Sequence, residues 1–332
     1  MSGSVNLRKS LQIYHIACNI APKGMSMLSG DISMVLFERY KPFWHVCTPG
    51  NLSGIIFRCE EDFIFGMNVI AMCASEFRNS VAVFTFVIMG NHLHFVLGGN
   101  EIDVRDFYCA IERRLKRHLH FNRGGGIAGS KGFEYSAWPV GDLRYLRNLI
   151  AYVNRNGYVA MKNHTPYTYL WGANRYFFNP GARCEQNEAV SNIARHKLRA
   201  IFRTRNVTCP NSYFFTGGYI SPLCYCKIDE AEQFFVNANH YFNMISKPVE
   251  SFSKIAAEIG DMVVYSDSEL YNSTVHIMLK EFNIQSIRSL NTEQRIFLAK
   301  KLHFEFNASN KQIQRILGIG DDALAALFPT AK

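Results

Sequence analysis

Between residues 43 and 156 the apolar positions switch repeatedly between a period of two and a period near 3.6. Phe43-Trp44-His45-Val46-Cys47-Thr48 is closed by Pro49-Gly50-Asn51 and predicts a strand. A second short apolar run, 54–58, follows it. Residues 60–79 open with acids and then place apolar side chains at helical spacing, which predicts a helix. Val81 to Met89 is almost continuously β-branched or aromatic and predicts a buried strand. Gly90-Asn91 makes a turn, and His92 to Leu97 forms the hairpin partner. Residues 102–122 predict a long charged helix, followed by a glycine loop and a β-like segment over 133–140. Asp142 is an N-cap for a helix running to about Asn156. The pattern predicts an α+β fold, an antiparallel sheet with flanking helices.

Outside that stretch the pattern changes. Residues 1–40 read as an extension with helical patches broken at Gly24 and Gly30. Residues 41–180 form the first domain, 181–230 a basic, aromatic-rich connection, and 231–332 a helical C-terminal domain. Within the last, Thr292–Phe306, Ser309–Leu317 and Asp321–Phe328, parted by Gly318-Ile319-Gly320, predict an all-α, helix-turn-helix-like end. Lys311, Gln312, Gln314 and Arg315 are candidates to face phosphate. The expected recognition helix has two acids and no base, whereas base readout usually uses Arg, Lys, Asn or Gln. DNA binding and protein packing therefore both remain open for this end.

The chain has 332 residues, 48% of them hydrophobic, enough for two cores. No apolar run reaches the roughly 18 residues of a membrane span, and no signal peptide is evident. A cytoplasmic protein, with no membrane partner, is the expectation. The nine cysteines are odd in number and include no CxxC pair. Reduced thiols are expected, and Cys184, Cys209, Cys224 and Cys226 match no common zinc spacing. The net charge is +9, and residues 161–220 hold eight Lys/Arg against two Glu among many Tyr and Phe. Such a stretch suits a polyanion whose bases can stack, or is simply a solvated basic face. Arg113, Arg114, Lys116 and Arg117, then Arg195, Lys197, Arg199, Arg203 and Arg205, are the DNA-binding candidates.

The motif His-Leu-His-Phe occurs at 92–95 and again at 118–121. On a strand, residues i and i+2 share a face, so His92 and His94 can converge on one metal ion. On a helix they lie about 200° apart, so His118 and His120 cannot, and that copy is expected to face phosphate or solvent. Tyr152 and Asn156 share one helix face at i and i+4. Asn156 offers a carbonyl oxygen as a third ligand, and Tyr152 a phenol one turn away. A core aromatic and a helix-ending Asn before Gly157 would give the same letters.

Val87-Ile88-Met89-Gly90-Asn91-His92-Leu93-His94-Phe95 resembles the histidine–hydrophobe–histidine (HUH) motif of single-tyrosine nucleases, in the form used by REP-associated tyrosine transposases. Tyr152-Val153-Asn154-Arg155-Asn156-Gly157 is similar to that family's tyrosine block, and Thr165 to Tyr176 to the aromatic segment after it. Trp44-His45-Val46 resembles its first strand. The resemblance covers about residues 40–180, with Gly90 and Gly157 standing where the family usually has proline. It implies a ferredoxin/RRM-like HUH core, His92, His94 and Asn156 as ligands of Mg2+ or Mn2+, and Tyr152 as nucleophile. The implied reaction is cleavage and strand transfer on single-stranded DNA through a 5′-phosphotyrosine. Hairpin-containing repeats are among the implied targets, the location would be nucleoid-associated, and monomer and homodimer both stay open. A replication-initiator or relaxase-type enzyme, and a non-catalytic DNA-binding regulator on the same scaffold, are the alternatives.

Overall fold

The computed structural model describes residues 29–48, 56–122, 135–159, 165–185, 188–247, 256, 265, 267–306 and 308–328. The first part runs α1 (Ser29–Tyr40), β1 (Phe43–Cys47), α2 (Glu60–Glu76), β2 (Ala82–Ile88), β3 (Leu93–Gly98), α3 (Glu101–Asn122), β4 (Ser136–Val140) and α4 (Leu143–Val159). Strands β1 to β4 form one antiparallel sheet in the order β2-β3-β1-β4. The fold is thus α+β, a four-stranded antiparallel sheet with flanking helices and further helices toward the C-terminus.

Both faces of this sheet are covered, which is why β2 and β3 read as unbroken apolar runs. Register fixes which residue meets which layer. Val46 pairs with Phe95 and Cys47 with His94, so neighbouring residues point to opposite faces. Phe95 turns toward α3, its ring centroid 6.0 Å from that of Phe107. His94 turns the other way, toward α4, its ring 5.8 Å from that of Tyr152. Helices α2 and α3 therefore lie on one side of the sheet and α4 on the other.

Four details depart from the sequence reading. Gly30 lies inside α1 rather than ending a helix. Strand β3 begins at Leu93, leaving His92 in the turn just before it. Helix α4 does not stop at Asn156 but continues through Gly157 to Val159. His118 is neither solvent- nor phosphate-facing: it is buried, with Nε2 3.0 Å from Asp62 Oδ1. The N-cap at Asp142 forms as expected, its Oδ1 accepting from the Tyr145 amide at 2.7 Å.

The region 165–247 packs onto this framework instead of merely linking. Thr165 to Tyr176 runs along the free edge of β2, where Ile88 N donates to Trp171 O and Ala173 N to Phe86 O. After α5 (Pro180–Arg183) come β5 (Glu188–Ala189), α6 (Arg195–Phe202), β6 (Phe214–Thr216) and β7 (Tyr219–Ile220), then α7 (Ile228–Glu232) and α8 (Ala238–Ile245). β5, β6 and β7 make a small second sheet. One apolar core extends from Leu36 to Ala256. A second runs from Leu270 to Phe328, within α9 (Asp267–Phe282), α10 (Thr292–Glu305), α11 (Asn310–Leu317) and α12 (Asp321–Leu327).

The C-terminal helices begin and end on recognisable signals. Asn291 with Gln294 and Ser309 with Gln312 form capping boxes, and Gly318 closes α11 at φ 67°. Gln312 is thereby buried and also donates to Tyr265 O at 2.9 Å, so it faces no phosphate. Arg315 is held by both oxygens of Asp267, at 2.6 and 2.9 Å. Asp321, Asp322, Ala323, Ala325 and Ala326 form the exposed face of α12, which offers DNA no cation. Among the described residues no helix is long and apolar enough to cross a membrane.

Candidate metal and tyrosine site

His45 and Cys47 on β1 and His94 on β3 share the sheet face that α4 covers, because Cys47 and His94 are register partners and His45 lies two residues from Cys47. Their ligand atoms all lie within 4.8 Å of one another, so this buried group could hold a metal ion. His45 Nε2 and His94 Nδ1 are 3.1 Å apart and share a hydrogen bond. His92 sits at the mouth of the hairpin, its ring perpendicular to that of His94 at 4.8 Å. Its Nδ1 donates to Asn91 Oδ1 at 2.6 Å, which leaves the lone pair on Nε2.

Tyr152 reaches the same place from α4. Its ring is edge-on to both His94, at 5.8 Å, and His45, at 6.3 Å. Asn154 pins the helix: its Oδ1 accepts from Thr85 at 2.5 Å and its Nδ2 donates to the Tyr241 hydroxyl at 2.9 Å. Gly157 then sets how close α4 can come. A Cβ there would lie 2.4 Å from the Tyr169 ring and 3.0 Å from Val87, the register partner of His94. Asn156 immediately precedes Gly157 on α4. It has no exposed surface, and neither its Oδ1 nor its Nδ2 has a hydrogen-bond partner among the described residues. A buried polar group left so costs about 1–3 kcal/mol.

The structure brings together His92, His94 and Tyr152, and buries Asn156 one helical turn beyond Tyr152 on α4. It adds His45 and Cys47, which the sequence reading left aside. Their signal was present: His45-Val46-Cys47 repeats the i, i+2 spacing of His92-Leu93-His94. Among the described residues, Cys184, Cys209, Cys224 and Cys226 form no metal group. Burial pushes the Cys73 and Cys209 thiols up to about 12, so both are unreactive near neutrality.

The nine DNA-binding candidates fall elsewhere. Arg114 forks onto Glu76, at 2.7 and 2.9 Å, and Lys116 is paired with Glu112 at 2.7 Å. Arg113 and Arg117 are exposed on α3, and Arg195, Lys197 and Arg199 on α6. Arg203 and Arg205 follow α6 and are also exposed. Helix α6 lies against α2, so this basic set is on the opposite side of the sheet from Tyr152. No family model matches the chain, and no curated protein or solved structure matches it either.

Proposed function

We propose that the chain is a metal-dependent single-stranded DNA endonuclease and strand transferase of the HUH type, with Tyr152 as its nucleophile. The observation that carries the reading is the meeting of His94 and Tyr152, 5.8 Å apart ring to ring, from a strand and a helix distant in sequence. The strand order β2-β3-β1-β4 is that of a ferredoxin-like sheet, in keeping with the core that the sequence motifs imply. His92, His94 and Asn156 would hold Mg2+ or Mn2+, and they fit such an ion. Asn156 offers a buried oxygen with no hydrogen-bond partner among the described residues, and Asn91 and His45 engage the Nδ1 atoms of the two imidazoles. Bound there, the ion would polarise a phosphate oxygen and stabilise charge developing on it.

The protein's own step is a transesterification. The Tyr152 oxygen attacks the phosphorus, a P–O bond to that oxygen forms, and the P–O3′ bond breaks. The phenol proton ends on the released 3′-oxygen, and a new 3′-OH can reverse the exchange without outside energy. Two observations favour the alternative, a DNA-binding regulator that does not cut. Tyr152 has no exposed surface, and the basic set lies across the sheet from it. The test is a labelled single-stranded DNA from the flanks of the protein's own gene, incubated with Mn2+ and run on a denaturing gel. A covalent protein–DNA band that needs metal and disappears in Tyr152→Phe is expected. Salt-sensitive binding with no such band across a wide oligonucleotide set would leave the regulator.

A further inference from the structure

Helices α2, α3 and α6 enclose a cavity of about 480 Å³, on the side of the sheet away from Tyr152. That volume is within the ~300–1,000 Å³ of small-molecule sites. Its walls are of two kinds. Phe65, Phe77, Ala110 and Phe202 supply apolar surface, while Arg113, Arg114, Arg117 and Arg203 supply four guanidinium groups against a single carboxylate, Glu76. Glu76 is already taken by Arg114, at 2.7 Å. Arg113 and Arg117 stand one helical turn apart on α3, exposed and without an ion-pair partner among the described residues.

One of these arginines is held in place by side-chain bonds. Arg203 closes α6 as its C-cap, in the left-handed conformation at φ 50°. In that conformation its guanidinium lies 5.5 Å over the Phe65 ring and donates to His118 Nδ1 at 2.9 Å. A guanidinium only donates, so His118 accepts at Nδ1 and must carry its proton on Nε2, which donates to Asp62 Oδ1. Asp62 Oδ2 in turn accepts from the Arg58 amide at 3.1 Å. The His118 ring is stacked on Phe65 at 4.0 Å. The chain Asp62–His118–Arg203 therefore fixes one arginine of the cavity, while Arg113 and Arg117 stand exposed beside it.

We infer that this cavity binds a nucleoside phosphate, with the base against Phe77 and the phosphate on Arg113, Arg117 and Arg203. Guanidinium groups bind phosphate through paired donors and also stack on or bond to flat bases, and the apolar wall buries the ring. Inorganic phosphate alone leaves that wall wet, so the aromatic part of the ligand contributes to binding. The cavity stands independently of the cleavage reading, because no residue of the His/Tyr site lines it. The same chemistry is supplied by a free nucleotide and by one nucleotide of a DNA strand, and the two need separate arms.

The experiment is calorimetry on the full chain with dGMP, dTMP, inorganic phosphate and a short single-stranded oligonucleotide, at low salt. Expected is saturable binding of at least one mononucleotide, about ten-fold tighter than phosphate, and weakened about ten-fold in Arg113→Ala/Arg117→Ala. Both substitutions are on exposed positions, and circular dichroism checks that the double variant is folded. Arg203→Lys, which keeps the charge but loses the fork onto His118, is expected to weaken binding as well. If the mononucleotide and the oligonucleotide compete, the strand is a source of the ligand; if they bind together, the site takes free nucleotide. Equal affinity for phosphate and nucleotide, or binding unaffected by the double substitution, overturns the inference. Tyr152→Phe is expected to bind nucleotide as the parent does, so loss of cleavage and loss of this site read out separately.

Discussion

A methyl group on Gly157 would sit 2.4 Å from one ring carbon of Tyr169 and 2.7 Å from another. That ring cannot easily give way, because the Tyr169 hydroxyl donates to Ile88 O at 2.5 Å and the side chain is almost wholly buried. Two effects oppose each other in Gly157→Ala. Alanine gains about 1 kcal/mol of helix propensity in the interior of α4. Overpacking at a closed contact costs about 1–3 kcal/mol, and here it should win. The expected result is a net loss of about 1 kcal/mol in urea unfolding. An unchanged or raised midpoint would mean that α4 does not press on Tyr169 as described. The same contact explains why the sequence misleads at this residue. Glycine after a polar residue near the end of a helix reads as a stop, and only the neighbouring ring reveals it as a spacer.

At the scale of elements, two donor sets share His94. One is the proposed set of His92, His94 and Asn156, with imidazole nitrogen and carbonyl oxygen; the other is His45, Cys47 and His94, with a thiol, whose ligand atoms lie together. They differ in chemistry, since thiolate suits Zn2+ and similar soft ions while oxygen donors suit Mg2+ and Mn2+. In the structure His45 Nε2 and His94 Nδ1 are bonded to each other, so an ion that keeps that bond meets His94 at Nε2. Titration with Co2+ is expected to give visible ligand-field bands without thiolate-to-cobalt absorption. The bands should survive Cys47→Ala and be lost in His92→Ala. A thiolate band removed by Cys47→Ala would transfer the ion to the β1 set.

This pair of sets also shows how far local pattern reaches. The hairpin histidines are legible because alternation and turn lie within ten residues of one another. Cys47 beside His94 is not, because it depends on β1 crossing over to pair with β3 rather than with the next strand in sequence. Residues 158–230 defeat periodicity for a different reason. Their strands β5, β6 and β7 have two or three residues each, too few to show a period, and their order comes from packing on the first core. The caps at Asp142 and Ser309 involve neighbours within three residues, and both form.

Across the whole molecule, the charge and the candidate chemistry are on different sides of the sheet. Arg113, Arg117, Arg195, Lys197, Arg199 and Arg205 are exposed and have no ion-pair partner among the described residues. Neutralising phosphates with all six should make log K for a single strand fall with log salt at a slope of about −4. Yet a strand lying on these cations is separated from Tyr152 by two helix–sheet spacings, on the order of 20 Å. A single strand must pass round the edge of the sheet to reach both, so several nucleotides are needed to span the two sides. Oligonucleotides with only a few nucleotides beside the cut are therefore expected to bind with a much flatter salt dependence than long ones. Charge reversal at Arg195, Lys197 and Arg199 should flatten the slope for long strands and leave the short ones unaltered. If short strands keep the full slope, the cations that hold DNA are not this set, and the strand must be gripped on the α4 side where the tyrosine lies.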